Sequence, residues 1–371
     1  MSGARLSRRL GRRVTSLLEQ ARNAVESRLA PRDTRLYVAG DGSGWVLDHE
    51  AREIHALARQ LGWRSSLIQS GATQGIARQR IFHTSQWVLP RLVDNREHRR
   101  NRIAVAYLHG RPSQENPEFV ALFDALTVLR NDLWRVQVSC RSMEELVLSS
   151  GIDGEKVHRI PLGVSLSYFP MLTADSRRAA RAKLNLPANA VVVGSFQKDG
   201  NGWGEGETPK LIKGPDVLLD VLECLRPRVP DLHVLLSGAA RGFVRRGLER
   251  LRIPYVYHWL DNYADIYSLY HACDLVLVTS REEGGPKAVL ESMATGVPMV
   301  STAVGQAADL IVHGHNGWLA AVGDVQGLVA HAGAAIALSD DERRAVIASG
   351  RATAEANSYD AQRELWRAFL Q

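Results

Sequence analysis

Two doubly wound parallel α/β sheets are the architecture this sequence predicts. Three observations carry it. Apolar runs of strand length alternate with amphipathic helical stretches in both halves, the pattern of βαβ units. Pro161, Pro170 and Pro187 bracket a charged stretch between the halves. Finally, the apolar run Cys273 to Thr279, a tight turn and the helical pattern Lys287 to Thr295 follow one another directly. Strand, turn and helix start are how such proteins hold an anion, because free N–H groups and the helix dipole point at it.

The 371 residues suffice for two domains, each with its own core. No apolar run approaches the roughly 18 residues needed to span a bilayer. Cys140, Cys224 and Cys273 are odd in number, widely spaced and set in apolar contexts. They imply reduced thiols in a cytoplasmic protein rather than disulfides or a zinc site. The net charge of +6 is carried almost wholly by arginine. The lysines are Lys156, Lys183, Lys198, Lys210, Lys213 and Lys287. Nucleic-acid binding would rest on charge alone, without an aromatic–basic platform, and is not expected.

Residues 1–32 form a basic amphipathic segment. Arg5, Arg8, Arg9, Arg12 and Arg13 fall on one side of a helical wheel, and Leu6, Leu10, Val14, Leu17 and Leu18 on the other. Such a helix either lies on an anionic membrane surface through residues 5–18, packs on the first domain, or frays. No apolar segment follows Ser7-Arg8-Arg9, so export is not expected. The first domain spans 33–165. Leu36 to Ala39 reads as its first strand, Gly40-Asp41-Gly42-Ser43-Gly44 as a loop, and Ile54, Leu57, Ala58 and Leu61 as a helix face. A dinucleotide-binding loop would need a third glycine in register and an acidic residue near Leu67-Ile68, and has neither. Ile103 to Leu108 is a buried strand ending at His109-Gly110, where open α/β sheets bind ligands. The alternative for His109 is a capping role; His83, after Ile81-Phe82, is a weaker candidate. Val136 to Ser139 is another strand, and Ser142 to Leu148 a helix.

A linker, 166–190, holds a charged helix from Asp175 to Leu184. The second domain, 191–355, opens with the strand Val191 to Phe196. A loop from Gln197 to Leu211 follows, with Gly200, Gly202, Gly204, Gly206 and Trp203. It either folds over a ligand or is a surface insertion. Then come a helix from Asp216 to Leu225, a strand from Leu232 to Leu236, a Ser237-Gly238 turn, and strand-like Tyr255 to Tyr257 ahead of His258-Trp259-Leu260. A last helix covers Ala361 to Leu370.

The turn Ser280 to Glu291 says most about chemistry. Glu283 and Glu291 flank Gly284-Gly285-Pro286, and Pro286 suits a first helical turn. Carboxylates beside a phosphate site are repelled by phosphate and should hold hydroxyls instead. A ligand with hydroxyls at both ends and phosphates between them is a nucleotide sugar.

These residues, with Met293-Ala294, Gly296, Pro298, Gly305 and Asn316-Gly317, resemble glycosyltransferase family 4, the retaining GT-B enzymes. Ile160 to Val164, and Gly194 followed by Lys213-Gly214-Pro215-Asp216, resemble further segments of it. The resemblance implies two Rossmann-like domains facing a central cleft, the first for the acceptor and the second for the donor. A C-terminal helix, 356–371, crosses back to the first domain. The implied activity is transfer of a sugar from a UDP- or GDP-linked donor to a glycan, lipid-linked or small-molecule hydroxyl acceptor. It needs no cofactor and no metal; no Asp-x-Asp clamp occurs in the chain. Envelope or polysaccharide synthesis, in the cytoplasm or on the inner membrane face, is the implied setting.

By the same resemblance Glu283 binds the transferred sugar, Lys213 the diphosphate, Glu291 the ribose hydroxyls, and His109 stands at the active site. Gly42, Gly44, Gly284, Gly285, Pro286 and Thr302 line the donor site, with His258 and Leu260 at the base. The family's arginine after its first glycine is Ser195 here, and Lys198 or Lys210 is expected to supply the charge. A nucleotide-sugar epimerase and a non-catalytic GT-B binding subunit are the alternatives.

Overall fold

The computed structural model describes residues 18–42, 46–202 and 204–371. The arginine-rich stretch before Leu18, with Gly44 and Trp203, lies outside the described residues. The chain forms two compact units: residues up to Val138 with Met143–Ile160 and Arg363–Gln371, and Ser139–Ser142 with Pro161–Gln362.

The first unit holds a six-stranded sheet of β1 (Arg35–Gly40), β2 (Arg64–Gln69), β3 (Arg80–His83), β4 (Arg102–Ala106), β5 (Arg135–Val138) and β6 (Val157–Arg159). Its order is β2-β1-β3-β4-β5-β6, and every pairing is parallel. The second unit holds β7 (Val191–Ser195), β8 (Leu232–Leu236), β9 (Tyr255–Tyr257), β10 (Leu275–Val278), β11 (Met299–Thr302) and β12 (Trp318–Ala320), in the order β12-β11-β10-β7-β8-β9. These too are parallel. The central strands are covered on both faces and read as unbroken apolar runs, as buried parallel strands must. The strand order reverses between β1 and β3, and between β7 and β10. Chains leaving such neighbours run to opposite faces and open a crevice at the carboxyl ends, where α/β sheets bind ligands.

The chain passes between units at Ile160–Pro161, a few residues before the expected boundary at 165. The stretch read as a linker, 166–190, belongs to the second unit. Its helix, Ala174–Lys183, starts at a Thr173 capping box and docks through Arg177 and Arg181 on Asp274. Arg181 is buried and also donates to Ala272 O and Ala190 O. Its charge suggested solvent, but these arginines are spent inside the protein. The last helix, Arg363–Leu370, belongs to the first unit. Trp366 and Phe369 are fully buried against Phe82, and Arg80, stacked between Trp63 and Trp134, donates to Gln371 O. Residues 18–29 are helical, and Gln79 ties Ser27 O to the first sheet.

Candidate active site

The crevice between β7 and β10 collects the turn motif. Gly214, at φ +61, packs directly on Thr279 O, where any Cβ would overlap. Thr279 Oγ1 donates back to Gly214 O at 2.9 Å. Arg281 and Glu282 donate their N–H groups to Ile212 O, and the Arg281 guanidinium grips Asp216 at 2.7 and 2.6 Å. This clamp brings Lys213 against Glu283, with Nζ 2.5 Å from Oε1. Their side chains keep 17% and 12% of their exposure. Gln197 Nε2, beyond β7, donates to Lys213 O at 2.6 Å. Ser280 Oγ lies 3.1 Å from Glu283 Oε1 and 3.2 Å from Gln197 Oε1, and its one proton serves one acceptor at a time.

Gly305, at φ +48, lies against the carbonyls of Glu283 and Gly284, and Gln306 N donates to Gly284 O at 2.8 Å. The turn's carbonyls are thus engaged from behind. Among the described residues nothing accepts from the N–H groups of Gly284 and Gly285. Pro286 stands one residue before the helix Lys287–Thr295, as its N-cap. Two open N–H groups, a helix start and an ammonium at one strand end suit an anion.

Glu291 is 3% exposed. Tyr263 donates to its Oε1, and Tyr270 to its Oε2 at 2.7 Å. Burial holds its carboxyl above the usual range, against the opposing pull of Lys287 and the tyrosines. Tyrosine hydroxyls therefore stand where ribose hydroxyls were expected. Thr302, expected to line the pocket, is buried, and its hydroxyl is spent on Ser280 O at 2.6 Å. It shapes the turn from beneath. His258 donates its N–H to Leu236 O past the end of β9, and Leu260 packs on the second unit's core beside Tyr263. Lys287 reaches away from the turn, donating to Gly163 O and Tyr359 Oη.

In the first unit His109 follows β4, held by Gln86 Nε2, which donates to His109 O at 2.8 Å and lies 3.2 Å from its Nδ1. Phe119 meets its ring edge-on. Gly42, expected to offer its backbone to a ligand, donates its N–H to Asp48 Oδ1 at 2.8 Å. His83 is buried, and burial with Arg91 nearby pushes its pKa down to about 3, so it is neutral. Among the described residues no group of three or more His, Cys, Asp and Glu gathers as a metal site. No described helix is long and apolar enough to cross a membrane.

The sequence reading missed Gln197, Tyr263, Tyr270 and a fully buried ion pair, Arg241–Asp199, behind Ser195. Gln197 was legible as the polar residue ending a glycine-bearing strand. The others are contacts across chain distance.

Residues 206–337 match the family model described as Glycosyl transferases group 1. A D-inositol 3-phosphate glycosyltransferase of Xylanimonas cellulosilytica is 32% identical over 225 residues, covering 56% of this chain and 49% of that protein. The lipopolysaccharide core biosynthesis mannosyltransferase LpsB of Rhizobium meliloti is 34% identical over 155 residues, 38% of this chain and 42% of LpsB. The chain spans about half the length of the curated relatives it matches. Anabaena Alr3699/HepE, solved with UDP-glucose, superposes with a TM-score of 0.71 at 21% identity, covering 90% of this chain and 98% of that one. Sucrose-phosphate synthase of Thermosynechococcus elongatus gives 0.73 at 16%, over 91% and 98%. The protein has the GT-B fold of the glycosyltransferases. Its second-unit segment 206–337 is similar to the glycosyl transferases group 1 family, in keeping with the resemblance carried by the 283–291 motif.

Proposed function

We propose that the protein is a retaining glycosyltransferase that takes its sugar from a nucleoside diphosphate donor. The observation that carries this reading is the Lys213–Glu283 pair beside the open N–H groups of Gly284 and Gly285. Cleavage at the anomeric carbon puts negative charge on the departing diphosphate. Lys213 and the two glycine N–H groups are placed to take it up, already oriented and partly shielded from water. Without a ligand, Lys213 is neutralised by Glu283. A bound donor divides the pair's work: phosphate oxygens face the ammonium, and a sugar hydroxyl donates to the carboxylate. Ser280 keeps Glu283 in place while its partner changes.

Glu291 takes the ribose in this reading. A ribose hydroxyl replaces the hydroxyl of half-buried Tyr263, and the Tyr270 bond remains. His258 and Leu260 are assigned to the base, and His109, with the first unit, to the acceptor side. Retention, with the leaving phosphate assisting deprotonation of the acceptor, needs no protein nucleophile, and none is assigned. The UDP-glucose bound by HepE favours a UDP-sugar, and a GDP-sugar is the second donor to try. The basic segment 5–18 favours an acceptor met at an anionic inner membrane surface, such as a lipid-linked or envelope glycan. Co-sedimentation with phosphatidylglycerol vesicles, lost on removal of residues 1–17, tests that part.

The deciding experiment is release of nucleoside diphosphate from a panel of UDP- and GDP-sugars, with and without acceptor. Transfer or slow hydrolysis of one donor, abolished in Glu283→Ala, is expected. Conversion of the donor's sugar without transfer or hydrolysis would point to an epimerase instead.

A further inference from the structure

The glycine-rich stretch after β7 is a docked hairpin. Gly200 bridges Pro209, Asn201 N donates to Thr208 O at 2.9 Å, and Lys210 N donates to Asp199 O at 2.8 Å. Its far side covers the start of the helix Gly242–Leu251: Gly242 N donates to Glu205 O at 2.6 Å and Phe243 N to Gly206 O at 3.0 Å. Gly200 and Gly206 press on Ala240 O so closely that a side chain at either would overlap it. Lys198 and Lys210 stand at the two roots of the hairpin, and Lys213 N donates to Lys210 O at 2.8 Å. Three lysines are thereby gathered by backbone bonds around the ends of β7 and β10.

One residue ties this arrangement together. Arg241, wholly buried, donates Nη1 to Ser195 O at 2.7 Å and to Ser237 O at 2.8 Å, and Nη2 to Ser195 Oγ at 3.1 Å. Its Nε lies 3.0 Å from Oδ1 of Asp199, which is equally buried. A single guanidinium thus joins the carboxyl ends of β7 and β8 to the root of the hairpin. Ser195 is where the family resemblance places an arginine, and here an arginine enters that space from the start of the helix Gly242–Leu251.

We infer that Arg241 is a positioning residue for the diphosphate end of the donor: through Asp199 it holds the hairpin so that Lys198 and Lys210 stand with Lys213 at the crevice. It touches no ligand itself, since no face of it reaches solvent. This rests on the donor site proposed above. A buried ion pair contributes little net stability over apolar side chains of similar size, whereas it fixes geometry closely. Position and stability therefore separate in Arg241→Met/Asp199→Leu, which removes both charges together.

The test compares this variant with the parent full-length protein, using UDP, UMP, GDP and GMP as probes. The parent should bind one diphosphate more tightly than its monophosphate. In the variant that preference should fall about tenfold or more, the size of one good charged contact, with monophosphate affinity unchanged. The Tm should stay within about 5 °C of the parent. Trypsin should newly cleave after Lys198 and Lys210 in the variant. An unchanged diphosphate preference in the folded variant would overturn the inference alone. A parent that binds no nucleotide overturns the donor-site reading, and this inference with it. Arg241→Lys, which keeps the charge but not the planar fork, guards against misfolding. It should fold and also lose diphosphate preference, and failure of both variants to fold would mark the pair as purely structural.

Discussion

The two places where strand order reverses share a topology and differ in what fills them. At β1/β3 the Gly42 N–H is answered by Asp48 of the following helix, and His83 is buried and neutral. Thr84 donates to Ala39 O, so polar groups there answer one another. At β7/β10 an ammonium and a carboxylate face each other with most of their surface covered, beside two unanswered N–H groups. Topology marks where a crevice opens. Whether it handles a charged ligand depends on which donors the local structure leaves unspent.

The comparison breaks if charge at the second crevice proves idle. Lys213→Ala/Glu283→Ala should lower turnover by about 100- to 1,000-fold, the cost of losing preorganised stabilisation of developing charge, while circular dichroism stays that of the parent. Next comes Gly214→Ala, which forces a Cβ onto Thr279 O at a left-handed backbone position. A loss of about 3 kcal/mol in urea unfolding is expected, combining backbone strain with overpacking.

His83 sharpens the contrast from the other side. Its folded pKa of about 3 lies below the ordinary histidine value of 6.5, so the folded protein excludes a proton that the unfolded chain binds. The stability from keeping it neutral is complete above pH 6.5 and is lost as pH falls towards about 3. Between pH 6.5 and pH 5 the loss should reach about 2 kcal/mol, and His83→Leu should flatten that part of the urea-midpoint profile. The smallest effect belongs to Asp48→Ala. Losing the bond to Gly42 N should cost about 1 kcal/mol and leave UDP affinity unchanged.

Much of this was legible in sequence because buried parallel strands declare themselves. Leu36 to Ala39, Ile103 to Ala106 and Leu275 to Val278 are unbroken apolar runs. The edge strands β2 and β6 are polar and half-exposed, and β2 was noted only as Leu67-Ile68 while β6 passed unread. The linker was placed by the bracketing prolines Pro161, Pro170 and Pro187, which do not show that Asp274, far along the chain, absorbs Arg177 and Arg181. In the site, Lys213 and Glu283 were legible from the motif, since a local turn sets their place. The surroundings of Glu291 and Ser195 were not. Tyr263, Tyr270 and Arg241 reach them from separate elements, and no spacing rule joins them.

Residues 363–371 complete the core of the unit that the earliest part of the chain begins. During synthesis on the ribosome, Phe82 has neither Trp366 nor Phe369 to pack against until more than 280 further residues have been added. The second unit is continuous from Pro161 to Gln362 apart from the short segment Ser139–Ser142, so it can close while its elder neighbour still waits. The unit begun first is finished after its neighbour, and a nascent chain halted before Arg363 would expose an unfilled apolar face to the cell's chaperones.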